Sequence, residues 1–310
     1  MNAVTFLILY AVALSWLTPA VLAGPAVIAW HPRLVVAGWL VAVGTALAAW
    51  AGALVILVAG AIHAVVTRSA LTFCVQTLGL TDAVHLPSSV ATALVVALLI
   101  ATTAVALHTG HRLIVSLLRT RRRNRDHADA VQIIGRRTED RGVVVIGADK
   151  PAAYCVSGGG SRAIVVTTAA LRLLDPAGLD AVLAHERAHM RGRHHHIIAV
   201  VAALSAALPR LPLMRAAAHH LPALLEMCAD DTAARRHGRE PLLQSLFLLS
   251  TGRPLPEGVL AVAGTAVLER VRRLAQPPAA SRGRFGELVA ACAIAAIGLA
   301  PALALMLCTY

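Results

Sequence analysis

The residues best suited to chemistry lie in the short stretch HERAH, which begins at His185. His185 and His189 are four residues apart, so on a helix both imidazoles lie on one face and can bind the same Zn²⁺ ion. Glu186 is offset by one residue and can take a proton from a water molecule instead of binding the metal. The spacing therefore predicts a zinc site in which Glu186 is the general base for peptide-bond hydrolysis.

A candidate third ligand follows in the stretch EMCADD, where Glu226 precedes Asp230 by four residues. A carboxylate completes a set of two histidines and one glutamate, which leaves one coordination position open, as catalytic zinc sites require. Asp230 lies one helical turn further on and can hydrogen-bond a ligating imidazole, which fixes the tautomer of that ring. We therefore expect one Zn²⁺ per chain, bound by His185, His189 and Glu226.

The two helices that carry these residues have clear signals at their ends. Asp175 is the predicted N-cap of the first helix, and Gly192 is its predicted end. The helix of the third ligand is predicted to end at Gly238. Upstream of both helices, β-branched runs predict short strands at 143–146 and 163–167. The zinc residues are therefore expected in a domain of mixed α and β structure.

Composition indicates an integral membrane protein. Hydrophobic residues make up 58% of the 310-residue chain, its mean hydropathy is +0.71, and only 14% of its residues are charged, whereas soluble domains carry about 25% charged residues. The net charge of +12 could favour nucleic-acid binding, but the arginines cluster beside apolar segments and aromatic residues are scarce, at 4%. We therefore expect the lipid bilayer as a partner and no direct binding of nucleic acid.

Long uncharged segments predict about four transmembrane helices, because a helix needs about 20 apolar residues to cross a bilayer. Three of these segments precede the zinc residues and one follows them. The predicted fold class is a mainly α membrane protein with a cytoplasmic α+β metallopeptidase domain inserted between the third and fourth helices. The predicted membrane domain covers residues 1–109 and contains transmembrane helices at 3–27, 34–62 and 90–108. The predicted zinc domain covers residues 110–284, and a fourth transmembrane helix follows at 285–310.

Arginine asymmetry predicts the orientation in the membrane. Six arginines lie in residues 112–125, after the third predicted transmembrane helix, and Arg282 and Arg284 precede the fourth. Cytoplasmic flanks carry the excess of arginine, so the zinc domain is predicted to face the cytoplasm in a multi-pass plasma-membrane protein. The N-terminus and the C-terminus are then both expected outside.

Three further groups of residues near the motif also have predicted roles. The histidine triplet 194–196 is predicted to be a solvated or headgroup-facing helix end rather than an auxiliary metal site. The apolar segment 197–208 predicts either a buried helix or one that rests in the membrane interface. His237 is a candidate for stabilising the oxyanion of the transition state, as are Arg235 and Arg236.

The pattern His185-Glu186-x-x-His189, followed by Glu226-x-x-x-Asp230, resembles the gluzincin metallopeptidases. Three predicted membrane helices, a cytoplasmic zinc domain and one further helix resemble the BlaR/MecR-type membrane metallopeptidases in particular. That resemblance implies His185, His189 and Glu226 as zinc ligands, Glu186 as general base and Asp230 as the group that orients His185. It covers most of the chain, but no extracytoplasmic sensor domain follows the last predicted helix, so β-lactam sensing is not expected.

The same resemblance implies a substrate and a way of holding it. The strands at 154–157 and 163–167 are similar to the edge strand that holds an extended substrate in these enzymes. The implied protein substrate is a winged-helix repressor in a signalling switch. Two alternatives stay open. HtpX/Ste24-like quality-control peptidases carry a similar zinc signature, and a non-enzymatic membrane scaffold or receptor would relay a signal through the helices without hydrolysis.

Overall fold

The computed structural model describes residues 2–24, 32–67, 69, 87–158, 161–251, 265–276 and 284–308. Most of these residues are helical, and the described strands form one small sheet. The helices are α1 (Ala3–Leu22), α2 (Pro32–Val66), α3 (Ser88–Ile134), α4 (Thr168–Leu173), α5 (Pro176–Arg191), α6 (His194–Ala207), α7 (Pro212–His237), α8 (Arg239–Thr251), α9 (Thr265–Ala275) and α10 (Arg284–Cys308). The strands are β1 (Arg136–Arg137), β2 (Val143–Ile146), β3 (Ala153–Gly158) and β4 (Ser161–Thr167).

Three described helices, α1, α2 and α3, contain segments long and apolar enough to cross a membrane. The last of these helices runs without a break for 47 residues, from its apolar first part through the arginine-rich segment to Ile134. The predicted boundary between the membrane and zinc domains, at residues 109 and 110, therefore lies inside one continuous helix. At 1.5 Å per residue this helix is about 70 Å long, so it connects the apolar segment directly to the sheet.

The C-terminal helix α10 lies beside the first two helices. It contains a shorter apolar stretch, Glu287–Leu303. The hydroxyl of Tyr10 on α1 donates a hydrogen bond of 2.6 Å to the carbonyl oxygen of Ile297, and a Cβ at Gly38 on α2 would lie 3.7 Å from Ile294. A fourth transmembrane helix at this position stays a prediction.

Helix α7, which carries Glu226, packs directly on the membrane helices. Trp39 of α2 is fully buried in a cluster that contains Leu213, Met214 and Leu221 of α7. Burial of apolar surface is the main favourable term in folding. This cluster therefore fixes the position of α7 relative to α2.

The strands form a sheet in the order β1-β2-β4-β3. β2 and β4 are parallel, whereas β1 pairs with β2 and β3 with β4 in antiparallel fashion. The prediction that residues 163–167 belong to a substrate-holding edge is wrong, because β4 lies between β2 and β3. β3 contains the other predicted edge segment, 154–157, and it is the outermost strand on its side of the described sheet.

Helices cover both faces of this sheet. Successive side chains of a strand point to opposite faces, so Val165 of β4 packs in a cluster with Val131 of α3 on one face. Ile164 and Val166 belong to the cluster on the other face, together with Leu183 of α5. The sheet therefore ties the long membrane helix α3 to the helix that carries HERAH.

Candidate metal centre

Helix α5 begins and ends where the sequence predicts. Oδ1 of Asp175 accepts a hydrogen bond of 2.7 Å from the backbone N–H of Gly178, which caps the start of the helix. Gly192 follows its last residue. Arg193 then adopts a left-handed conformation (φ 51°), which turns the chain sharply into α6. Both predicted ends of this helix are confirmed.

Helix α7 begins at Pro212, and its predicted end is confirmed at Gly238, whose φ of 86° favours glycine. Small side chains allow α5 and α7 to approach closely: Ala181 and Ala184 of α5 pack with Ala233 of α7. The two helices that carry the candidate ligands therefore face each other across a narrow contact.

The structure brings His185, His189 and Glu226 together. One ligand atom from each lies within 4.8 Å of the other two. The Nε2 atoms of the two imidazoles are 3.1 Å apart. One carboxylate oxygen of Glu226 lies 3.4 Å from Nε2 of His185, and the other lies 3.3 Å from Nε2 of His189. Atoms that bind one tetrahedral zinc ion at about 2.0–2.1 Å are about 3.3–3.4 Å apart. The three side chains therefore fit zinc in number, type and spacing.

Asp230 lies behind the first of these ligands. Nδ1 of His185 is 3.0 Å from Oδ1 of Asp230, in an ion-pair contact rather than a well-directed hydrogen bond. Burial alone lowers the pKa of His185, but Asp230 and Glu226 outweigh burial and raise this pKa to about 9. Asp230 is therefore in the position to orient this ring, and zinc must displace a proton when it binds.

A buried arginine that sequence reasoning missed lies beside both carboxylates. Arg270, on α9, donates from Nε and Nη2 to the two carboxylate oxygens of Asp230 at 2.7 and 2.8 Å. Its Nη1 lies 3.0 Å from Oε2 of Glu226. Burial raises the pKa of each carboxyl group, but the contacts with the histidines and with Arg270 outweigh burial and lower both pKa values. Both carboxylates are therefore held in the ionised form that a zinc site requires.

Sequence spacing offers no signal that singles out Arg270. It is 40 residues away from Asp230, and α9 carries two further arginines, Arg272 and Arg273. The only indirect signal is chemical. A carboxylate that is 1% exposed, as Asp230 is, requires a cation or several hydrogen-bond donors nearby.

His194 contradicts the prediction that the histidine triplet 194–196 is solvated. It is buried, and its Nδ1 lies 2.9 Å from Nδ1 of His189. Gly192 makes this contact possible, since a Cβ there would lie 2.3 Å from Nε2 of His194. Burial, followed by the neighbouring His189, lowers the pKa of His194 to about 4, so its ring is neutral. Within the triplet only His196 is exposed.

Glu186 is buried beside the candidate ligands, with 8% of its surface exposed. Burial raises its pKa, whereas the charges of His185 and His189 act in the opposite direction. Its carboxylate contacts the thiol of Cys155 on β3, and burial together with this contact raises the pKa of Cys155 to about 12. The outermost strand β3 therefore lies next to Glu186, a contact that the sequence did not predict.

The predicted oxyanion candidates lie away from this group. His237 is the last residue of α7 and is exposed. It is eleven residues beyond Glu226, which corresponds to about 16 Å along a helix. Arg235 and Arg236 are also exposed on the same final turn, where Nη2 of Arg235 contacts Thr232 at 3.4 Å. Their exposed position on the last turn of α7 gives no support to a role in stabilising an oxyanion, which stays a prediction.

The segment that contains the candidate ligands is similar to a known peptidase family. Residues 117–227 match the model of Peptidase family M48. The match covers about a third of the chain and includes HERAH and Glu226, but it ends before Asp230 and Arg270. No curated protein and no solved structure matches the chain. Together with the apolar helices and the group of three ligands, the match supports a zinc-dependent membrane peptidase.

Proposed function

We propose that this chain is a zinc-dependent endopeptidase of the plasma membrane, which hydrolyses peptide bonds of a protein substrate at the cytoplasmic face. The observation that carries the proposal is the convergence of His185, His189 and Glu226 at the spacing of zinc ligands, with Glu186 buried beside them. Burying this many polar groups is unfavourable unless a bound ion or a reaction uses them. A membrane scaffold or receptor would have no need of this arrangement.

The residues of the site have different proposed roles in hydrolysis. Zinc, when bound by the three ligands, would supply a Lewis acid for the peptide carbonyl. Glu186 accepts a proton from the attacking water and then donates it to the amine of the departing peptide. Burial favours its protonated form, which the second step needs, and the nearby histidines favour the carboxylate, which the first step needs. His185, His189 and Arg270 lower the pKa of Glu226, so this ligand stays ionised and does not compete for the proton.

An extended segment of the substrate is proposed to bind along β3. A peptide can add to an outermost strand through backbone hydrogen bonds. Cys155, near the middle of β3, contacts Glu186. The bond to be hydrolysed would therefore lie within the bound segment rather than at its end, which favours an endopeptidase over an exopeptidase.

The course of α3 supports the proposed location at the cytoplasmic face. This helix carries its six arginines between the apolar segment and the sheet, and arginine-rich flanks face the cytoplasm. The BlaR/MecR resemblance adds a winged-helix repressor as the candidate substrate and a role in signalling. The proposal itself requires only a protein substrate that reaches this face.

Hydrolysis by a general-base variant tests the proposal. We would purify the full-length protein and its Glu186→Gln variant in detergent, quantify bound zinc, and measure hydrolysis of an unfolded casein. The expected result is equal zinc in both proteins and hydrolysis only by the wild type, lost on chelation and restored by zinc. Glu240→Gln, at an exposed glutamate on α8, is the matched control and should retain activity. Equal hydrolysis by wild type and Glu186→Gln would refute the catalytic assignment.

A further inference from the structure

A basic groove lies on α3, on the cytoplasmic side of its apolar segment and away from the candidate metal centre. It encloses a volume of about 450 Å³. The residues of α3 that line it recur at helical spacing and therefore share one face of the helix. They include Arg112, Ser116, Arg119, Thr120 and Arg123, and Ala206 of α6 lies on the opposite wall.

The three groove arginines are available for an anionic ligand. In the described ranges of the chain, none of them forms an ion pair with a carboxylate; the arginines that do are Arg187, Arg270 and Arg273. Three guanidinium groups along one groove therefore repel each other without an internal counter-charge. Guanidinium binds phosphate oxygens in a two-pronged geometry, and hydroxyl groups such as that of Ser116 can donate to the same oxygens.

The groove begins just after the apolar segment of α3, where the lipid headgroups are expected. Ile114 and Leu118 are 58% and 52% exposed on another face of the same turns of α3, and apolar side chains exposed at this position are suited to contact with lipid. Arg119 and Arg123 follow Leu118 in the chain and lie within about 8 Å of it along the helix axis, whereas Arg112 precedes Ile114 by two residues. The long side chain of Arg112 extends along the helix to bring its guanidinium group to the same layer. The headgroup layer is about 5–8 Å thick on each side of the hydrocarbon core.

The opposite wall of the groove is apolar. It is formed by Ala206, which belongs to the apolar 14-residue helix α6. An apolar surface beside a basic groove is complementary to a molecule with both an anionic headgroup and acyl chains. A free phosphate ion would use only the arginines.

We propose that this groove binds the phosphate-bearing headgroup of an anionic phospholipid. The occupant would hold α3 against α6, whose first residue, His194, contacts the candidate ligand His189. The proposal is independent of the peptidase assignment, because none of the groove residues belongs to the metal centre.

Lipid selectivity of two matched variants tests the proposal. In the first variant, Arg112, Arg119 and Arg123 are replaced by glutamine; in the control, the same change is made at Arg121, Arg122 and Arg125, which lie on the other face of α3. The full-length proteins in neutral detergent are incubated with equal amounts of phosphatidylglycerol and phosphatidylcholine, re-isolated, and their bound lipid is quantified by mass spectrometry. We expect wild type to retain phosphatidylglycerol selectively, with about a tenfold or greater loss of affinity in the groove variant and less than about twofold in the control.

Three outcomes would overturn the proposal. Equal losses in both variants would indicate diffuse charge rather than a site, and no lipid preference in wild type would exclude the site altogether. Displacement of phosphatidylglycerol by inorganic phosphate, at an ionic strength matched with sodium chloride, would identify a site for free phosphate. If the triple variant aggregates, Arg119→Gln and Arg122→Gln are compared instead, with about a fivefold loss expected only for the first.

Discussion

At the scale of single residues, each candidate zinc ligand has a further polar contact with a residue outside the group of three. Such contacts fix the orientation and tautomer of the ligand, and removing one typically weakens metal affinity by about 10- to 100-fold. Two of the residues that make these contacts, Asp230 and Arg270, also bind each other. The three pairs are His185 with Asp230, His189 with His194, and Glu226 with Arg270.

Replacement of His194 should therefore weaken zinc binding. In His194→Ala, the ring of His189 loses its partner at Nδ1 and can rotate away from the position that Nε2 needs. We expect the zinc affinity, measured by competition with a chromophoric chelator, to fall about 10- to 100-fold. His196→Ala is the matched control, because His196 is exposed. An unchanged affinity in His194→Ala would show that this contact does not orient the ligand.

The contact between Glu186 and Cys155 can be tested through thiol reactivity. The thiolate is the reactive species, and the charge of Glu186 contributes to the raised pKa of Cys155. Removing that charge in Glu186→Gln lowers the pKa, so Cys155 should react faster with iodoacetamide at about pH 8, as followed by mass spectrometry of its peptide. Glu240→Gln should leave the rate unchanged. A rate that is the same in wild type and Glu186→Gln would place β3 away from the base.

The sequence was sufficient to predict the candidate ligands, but not all of their partners. His185 and His189 are four residues apart, and any two residues at this spacing lie on one face of a helix. Their proximity therefore depends only on formation of the helix. The burial of His194 depends instead on the left-handed turn at Arg193, which folds the start of α6 back onto α5. A local pattern of residue types does not specify such a turn.

At the scale of elements, α9 is held against α7 by two arginines one turn apart. Arg270 binds Asp230, and Nη2 of Arg273 lies 3.1 Å from Oδ2 of Asp231. On the apolar side of the same helix, Val271 packs in the cluster that contains Ala233 of α7. The ion pair at Asp230 is deeply buried, so its partners depend on each other strongly.

Removal of Arg270 should accordingly destabilise the protein. Arg270→Met leaves Asp230 charged, buried and without its cation, and breaking a buried pair in this way typically costs about 3–5 kcal/mol. Chemical denaturation of the zinc-free protein in detergent would measure the free energy of unfolding. Arg272→Met, at an exposed position on the same helix, should change it by less than about 0.5 kcal/mol. Equal stability of the two variants would contradict the role assigned to this pair.

The ends of single elements were more predictable than their arrangement. Asp175 and Gly192 determine the ends of α5 through local hydrogen bonding and backbone freedom, and both were predicted. The position of 163–167 inside the sheet was not, because a run of β-branched residues specifies a strand but not its neighbours. The position of β4 inside the sheet depends on packing between distant parts of the chain, because α3 covers one face of the sheet and α5 covers the other.

At the scale of the whole molecule, the helices that carry the candidate metal centre pack against the apolar helices of the N-terminal part. α7 packs on α2 through the cluster around Trp39, and α3 continues from its apolar segment into the face of the sheet. Hydropathy changes near residue 109, which is why the sequence predicted a domain boundary there. Helix propensity does not change, because leucine and arginine are both good helix formers.

The predicted orientation can be tested with single cysteines in a chain whose five natural cysteines are replaced by serine. A cysteine at Arg236, on the exposed end of α7, should react with a membrane-impermeant maleimide only after cells are permeabilised. A cysteine at Asn2 should react in intact cells, because three predicted crossings separate it from the arginine-rich side, which is predicted to face the cytoplasm. The opposite labelling pattern would reverse the assigned topology.

The most direct test of the central claim is X-ray absorption at the zinc edge of the purified full-length protein. We predict one zinc ion per chain, with two imidazole nitrogens at about 2.0–2.1 Å and oxygen as the remaining ligand type. His185→Ala and Glu226→Ala should each lose this ion or this coordination pattern. A sulfur ligand at about 2.3 Å, or unchanged zinc content and spectrum in both variants, would contradict a centre built from His185, His189 and Glu226.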